Sequence, residues 1–253
     1  MNGRIELIPI PIADDIRPGD KLDQIIIDTI ERVGESLLEG DVVVVAQKVV
    51  SKSEGRLIDL RQMNPSQRSL EIAKQNNRDP RLIELILTES VDILRMVRGI
   101  LITETKGGLV CANAGVDQSN VEKSTDYAVA LPEDPDLSAS RLRQSFKRVT
   151  GVNVSVVITD TFGRPFREGQ TNVAIGLAGI QPIRSYIGMP DMYGKTLRVT
   201  EIAVVDEIAS AAELLMGKTD RIPVVIVRGY KHKMFENCSS EGLLRTKERD
   251  IFR

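Results

Sequence analysis

The chain has 253 residues, 42% of them apolar, enough to bury a substantial core in one large domain or two small ones. Its 34 basic and 36 acidic side chains leave a net charge of −2, which argues against a nucleic-acid-binding or polybasic membrane surface. No apolar run reaches the length of a membrane span, the opening MNGRIELIPIPIADD lacks the basic-then-apolar pattern of a signal peptide, and Cys111 and Cys238 are too few and too distant for a disulfide framework or a cysteine zinc site, so a soluble cytoplasmic protein is expected.

In chain order, RIELIPI alternates and predicts a strand. DKLDQIIIDTIERVGESL carries Leu22, Ile25, Ile26, Ile30, Val33 and Leu37 at helical spacing, with Asp20 as its cap. DVVVVAQKVV reads as a buried strand. NPSQRSLEIAKQ and DPRLIELILTESVDILRM read as helices that open on an Asn or Asp cap with proline in the first helical position. GILITETKGGLVCA predicts a hairpin turning at Lys106-Gly107-Gly108. SASRLRQSFKRVTG is a basic-faced helix ending at Gly151, and VSVVITDTFGRPFREGQ follows as a buried strand that ends in Thr-Asp-Thr and enters a glycine-rich loop. TEIAVVDEIASAAELLMG predicts an apolar-faced helix to Gly217, and IPVVIVRG a last buried strand. His232, the single histidine, lies between two lysines in YKHKMF and reads as a solvated loop residue. Helices and strands mix without strict βαβ alternation, so the fold is read as α+β, with mixed sheets and two interleaved lobes that form one unit over residues 1–253.

Four strand or helix ends carry unusual polar chemistry. After the valines of DVVVVAQKVV, the residues Gln47, Lys48, Lys52 and Arg56 gather at one exit; they read equally as an exit to solvent or as a phosphate-facing cluster. VCANAGVDQSNVE leaves its strand through Asn113, Asp117, Ser119 and Asn120, a pattern that by itself favours a structural Asx-rich turn. Asp160, flanked by the hydroxyls of Thr159 and Thr161, is an oxygen-donor set of the kind Mg²⁺ and Mn²⁺ prefer, with Gly163 and Gly169 allowing close approach. The competing reading is a structural pair of Asp160 with Arg164 or Arg167, which a net stability argument explains poorly. The turn Gly217-Lys218-Thr219-Asp220 is explained well enough as an ordinary helix C-cap. Neither GKT triplet fits a P-loop: Gly188 to Gly194 spans one residue too many, and Gly217 follows a helix.

Taken together, VSKSEGR, NAGVDQSNVE, VITDTFGRPFREG, DMYGKTLRVTEIAVVDEIASAAELLMG and IPVVIVRG resemble, in order, the segments of the coenzyme F420-0:L-glutamate ligase family, the F420-0 γ-glutamyl ligases. The resemblance implies an enzyme that joins L-glutamate to coenzyme F420-0 with GTP cleavage, then adds glutamates through γ-linkages. It implies a two-lobed homodimer with two divalent metals, Mn²⁺ or Mg²⁺, and a monovalent cation, K⁺, near the nucleotide. By residue, it implies Asp117, Asp160 and Thr161 as metal ligands. It implies Gln47, Lys48, Lys52, Asn120 and the turn Met216-Gly217-Lys218-Thr219-Asp220 as nucleotide contacts, and so reverses the structural readings of Asp117 and of that turn. Lys52, Asp160, Arg164 and Arg167 are the candidate catalytic residues, the two arginines binding either nucleotide or the phosphodiester substrate. The chain departs from the family in lacking Gly-Leu-Pro near residues 11–14 and in carrying Arg221 where glycine is usual. A fused flavin-type domain is not expected. A metal-dependent phosphohydrolase and a non-catalytic nucleotide-binding regulator are the competing functions.

Overall fold

The computed structural model describes residues 3–121 and 124–250. The first part of the chain forms β1 (Glu6–Ile10), α1 (Leu22–Arg32), β2 (Val42–Ala46), α2 (Gln47–Ser53), β3 (Leu57–Asp59), α3 (Gln67–Asn76) and α4 (Pro80–Glu89). There follow β4 (Ser90–Val97), β5 (Ile100–Thr105), β6 (Val110–Ala112), β7 (Tyr127–Val129) and α5 (Pro135–Thr150). The last part adds β8 (Ser155–Arg164), β9 (Arg167–Ala178), β10 (Arg184–Ser185), β11 (Glu201–Ile202), α6 (Val204–Met216) and β12 (Val224–Arg228). No helix among the described residues is long and apolar enough to cross a membrane.

The larger lobe is a mixed five-stranded sheet in the order β1-β12-β2-β8-β9, parallel only between β2 and β8. Its central strands are apolar on both faces because both faces are covered. Val43 and Val45 join Val156, Ile158 and Ile226 under α1 and α5, where Ile26, Ile30 and Phe146 complete one core. Val42 and Val44 turn to the other face with Val157, Val225 and Val227, against Val205, Ile208 and Ala212 of α6. The α5 N-terminus lies so close to β9 that a Cβ on Gly176 would fall 2.5 Å from the Pro135 carbonyl oxygen, so only glycine fits there. The smaller lobe has its own core, with Leu60, Ile83, Ile86 and Leu101 at its centre, built by α3, α4 and the β4-β5-β6 sheet. The fold is α+β with two lobes whose chain segments interleave.

Several local expectations are corrected. Asp20 does not cap α1; its carboxylate accepts from the Arg17 amide at 2.7 Å, and Lys21 occupies the cap position without a side-chain bond. Ser66, not Asn64, caps α3, because its hydroxyl reaches the Ser69 amide. Asp79 caps α4 as expected, but the helix stops at Glu89 and residues of its predicted continuation form β4. Gln47, Lys48 and Lys52 lie on α2, which starts directly from β2, and not on a strand exit. The strand of Val156, Val157 and Ile158 does not end at Thr-Asp-Thr: β8 runs on to Arg164 and pairs with β9, so the glycine-rich loop is a long hairpin ribbon. His232 is half-buried, with Nε2 2.8 Å from the Ser155 hydroxyl and its ring stacked on Tyr230. Burial pushes its pKa below the ordinary histidine value.

Candidate active site

The two lobes enclose a cleft of about 2060 Å³. Its walls are the start of α2, the loop after β6, the middle of β8, and the turn between α6 and β12. Lys48 projects from α2 and donates to Asp117 at 2.9 Å and to the Ser119 carbonyl and hydroxyl at 2.6 and 3.2 Å. One turn later, Lys52 donates to the Asn120 carbonyl at 3.1 Å. The Asn120 amide reaches across the cleft to the Lys218 carbonyl at 3.1 Å, and Lys218 in turn donates to Thr161 at 2.8 Å. Residues distant in sequence thus close a ring of cations, carboxylates and hydroxyls around one space.

The two carboxylates of that ring differ. Asp117 is drawn upward by burial, but the Lys48 ammonium and the Ser119 hydroxyl and amide outweigh that and hold its carboxyl below the ordinary value. Asp160 has no arginine or lysine within ion-pair distance among the described residues. Burial lifts its carboxyl to about 6, opposed by the Thr161 amide and by the Lys48 and Lys218 charges and reinforced by Asp117. Neither arginine of the hairpin answers it. Arg164 donates to the carbonyls of Glu168 and Gly169 at 2.5 and 3.4 Å, within its own hairpin. The structural Asp–Arg pair weighed from the sequence is therefore not formed.

Of the residues singled out in sequence, Gln47, Lys48, Lys52, Asp117, Asn120 and Asp160 line the cleft. So do Thr161, Arg164, Met216, Gly217, Lys218 and Thr219. Arg167, exposed at the start of β9, and Asp220 do not. Gln47 is buried, and its amide is committed to Ser51 at 2.6 Å and to the Ala130 carbonyl at 3.4 Å, so it also ties α2 to the smaller lobe. Asp220 folds under the turn: a Cβ on Gly217 would lie 2.5 Å from its carboxylate. Gly217 has φ 53° and ψ −160°, a conformation essentially closed to other residues.

Two more residues complete the rim: Arg221, which the sequence singles out only as a departure from the family, and Asn172, which sequence reasoning missed. Arg221 adopts φ 54°, a conformation that favours glycine. Its carbonyl accepts from the Ile12 amide at 3.0 Å, its guanidinium donates to the Ala13 carbonyl, and Asp15 lies 3.9 Å away. Arg221 thus ties residues 12–15 to the cleft edge. Asn172 on β9 is buried and accepts from the Thr161 hydroxyl at 2.7 Å. An amide inside an apolar strand stretch is the signal that marks it in TNVAIGLA.

The donor set at the centre is two carboxylates and one hydroxyl, all hard oxygens. Among the described residues no group of three or more His, Cys, Asp or Glu side chains forms a metal cage. Such a set suits Mg²⁺ or Mn²⁺, ions that keep water and substrate oxygens in their coordination shell, and not a structural zinc. Lysines around the cleft, a carboxylate with no arginine or lysine within ion-pair distance among the described residues, and hydroxyl groups beside it characterise the site of this α+β protein.

Comparison with known proteins narrows this. Residues 12–229 match the F420-0:Gamma-glutamyl ligase family. The chain is 43% identical to a coenzyme F420:L-glutamate ligase of Methanothermobacter thermautotrophicus, over 98% of this chain and 99% of the relative. It is 46% identical to the enzyme of that name from Methanopyrus kandleri, over 99% and 97% of the two chains. With that of Methanocaldococcus jannaschii it shares 43% identity over 85% of each. The chain belongs to the F420-0:gamma-glutamyl ligase family.

Proposed function

We propose that this protein is a GTP-dependent ligase that joins L-glutamate to coenzyme F420-0 in coenzyme F420 biosynthesis, forming one amide bond and then adding glutamates through γ-linkages. The observation that carries the reading is Asp160: a carboxylate facing a lysine-rimmed cleft with no arginine or lysine within ion-pair distance among the described residues. An amide does not form from carboxylate and amine in water at a useful rate. The γ-phosphoryl group of GTP moves to a carboxylate oxygen of F420-0; the bond from γ-phosphorus to the bridging oxygen breaks, the phosphorus–carboxylate bond forms, and GDP leaves. The glutamate amine then attacks the acyl carbon, phosphate departs, and the amine proton passes to solvent.

In this chemistry Asp117, Asp160 and Thr161 would hold two divalent cations, with K⁺ nearby, and those ions would supply neutralising charge to the phosphates. Lys48, Lys52 and Lys218 orient and neutralise the triphosphate, as charge-assisted donors do. Asn120 and the Met216-Gly217-Lys218-Thr219 turn support the nucleotide, with Asp220 shaping the turn from beneath. Gln47 keeps α2 in place. Arg164 meets the acceptor's phosphodiester or carboxylates at the hairpin end of the cleft, and Arg167, outside the lining, adds charge at its mouth. Enclosure between the lobes limits loss of the acyl phosphate to water.

A homodimer is supported by the arm between β10 and β11, where Met192, Tyr193 and Val199 are 89%, 89% and 85% exposed. A cytoplasmic setting accords with the substrates. The test is a product assay: F420-0, glutamate, GTP and Mn²⁺ should yield a glutamyl mass increment, with phosphate released only when acceptor and glutamate are both present. Phosphate release without either would identify a phosphohydrolase, and GTP binding without turnover a regulator.

A further inference from the structure

Thr161 on β8 stands opposite Asn172 on β9 in the hairpin register. The Lys218 ammonium is a donor only, so the Thr161 oxygen accepts from it at 2.8 Å. The single hydroxyl proton then needs an acceptor, and the carbonyl oxygen of the Asn172 side chain lies 2.7 Å away. Asn172 is 3% exposed, next to Val173, Ala174 and Ile175, which pack into the two cores of the larger lobe. A buried amide at such a position gains little over a hydrophobic side chain of similar shape, so packing does not account for it. The residue is also held in place. Its backbone carbonyl accepts from the Ser210 hydroxyl on α6 at 2.8 Å, and its amide nitrogen faces the Met216 sulfur at 4.0 Å. Sulfur accepts and does not donate here, which orients the amide with its oxygen toward Thr161.

We infer that Asn172 is a positioning residue that takes up the Thr161 hydroxyl proton and so presents the Thr161 oxygen to the cleft as an acceptor only. An oxygen fixed in this way attracts cations and repels phosphate oxygens. In this structure the cation is the Lys218 ammonium; for a divalent metal the inference rests on the function proposed above. Without Asn172 the hydroxyl turns freely and can donate into the cleft instead.

The test compares Asn172→Leu, which removes the acceptor at similar volume, Asn172→Asp, which keeps an acceptor, Thr161→Val, and the Leu and Val changes together. Mn²⁺ affinity is measured by electron paramagnetic resonance without nucleotide, and thermal melts check folding. Asn172→Leu should weaken Mn²⁺ binding roughly tenfold or more, the usual cost of removing a group that orients a ligand, while Asn172→Asp retains it. The double variant should bind no more weakly than Thr161→Val alone, because both act through one hydroxyl. Multiplying effects, or full Mn²⁺ affinity in Asn172→Leu when Thr161→Val is impaired, would overturn the inference and spare the metal assignment. An unimpaired Thr161→Val would overturn the metal assignment instead. A crystal structure of Asn172→Leu, or of Asn172→Ala should the first not fold, then decides the positioning role: the Thr161 side chain should leave the rotamer it holds here, and an unchanged Thr161 oxygen position would refute the role.

Discussion

Asp117 and Asp160 face the same cleft, one from the loop after β6 and the other from β8, and they are prepared differently. Asp117, on the loop after β6, is already neutralised by Lys48 and bonded to Ser119. Asp160, on the sheet between Thr159 and Thr161, finds no such partner among the described residues. The first keeps its charge at all ordinary pH; the second holds it only against a burial cost that lifts its carboxyl to about 6. Identical side chains thus divide into a carboxylate that is structurally satisfied and one that remains in want of a cation. That division is the arrangement expected where a ligand supplies the missing charge.

Removing the unsatisfied carboxylate should have the largest effect. Asp160→Asn keeps the size and loses the charge, and glutamate ligation measured by mass spectrometry should fall roughly a thousandfold, as when a group stabilising transition-state charge is lost. Normal Mn²⁺-dependent turnover in this variant would remove Asp160 from the metal site.

The same variant should be more stable without ligands, and the sign follows from linkage. The folded-state carboxyl at about 6 lies above its value near 4 in the unfolded chain, so the folded protein binds the proton more tightly and loses stability as pH rises between them. At neutral pH this costs on the order of 2–3 kcal/mol, which Asp160→Asn should recover, flattening the urea-midpoint profile between those pH values. Asp117 has the opposite sign. Its lowered value makes its contribution present above the ordinary carboxylate range and lost as pH falls through the lowered value, and Lys48→Met should erode it. Equal pH profiles for the Asp160→Asn and wild-type proteins would show that the two carboxylates are not so different.

A smaller effect separates nucleotide from acceptor. Lys52→Ala should raise the KM for GTP roughly tenfold, the scale of one charged hydrogen bond, and that for glutamate much less. Equal shifts in both would assign Lys52 to holding the Asn120 loop, whose carbonyl it meets at 3.1 Å.

The sequence makes the larger lobe legible because β2, β12 and the first half of β8 are continuous valine and isoleucine runs, a pattern that a sheet covered on both faces explains. It misleads at Asp160 for a related reason. A polar triplet after Val156, Val157 and Ile158 looks like a strand end, yet β8 continues past it with a register shift between Ile158 and Thr159 that turns the carboxylate to the cleft. The Lys48–Asp117 pair and the Asn120–Lys218 bond span 69 and 98 residues, and no local pattern encodes such distances. Arg221 illustrates the converse: glycine is the expected residue at a positive φ, and the arginine is understood only once its bonds to residues 12–15 are seen.

Cys111 provides the smallest and most discriminating change, since it lines the cleft beside Asp160 and is the one thiol there among the described residues. A nucleophilic cysteine needs a lowered pKa and access. Here burial first, and the neighbouring Asp160 charge second, push the thiol up to about 12, so it stays protonated at the pH of the reaction. It is also the inward-facing residue of β6, 8% exposed, paired with Thr103 of β5. Cys111→Ala should therefore retain kcat while losing about 1 kcal/mol of stability, the scale of one buried methyl-sized group. Hydroxylamine present during turnover should capture a hydroxamate on the small-molecule acceptor, where the acyl phosphate forms. A folded Cys111→Ala protein without activity, or an adduct recovered on the polypeptide, would replace the acyl phosphate with a covalent enzyme intermediate and make the environment of Asp160 a device for the thiol instead of a cation.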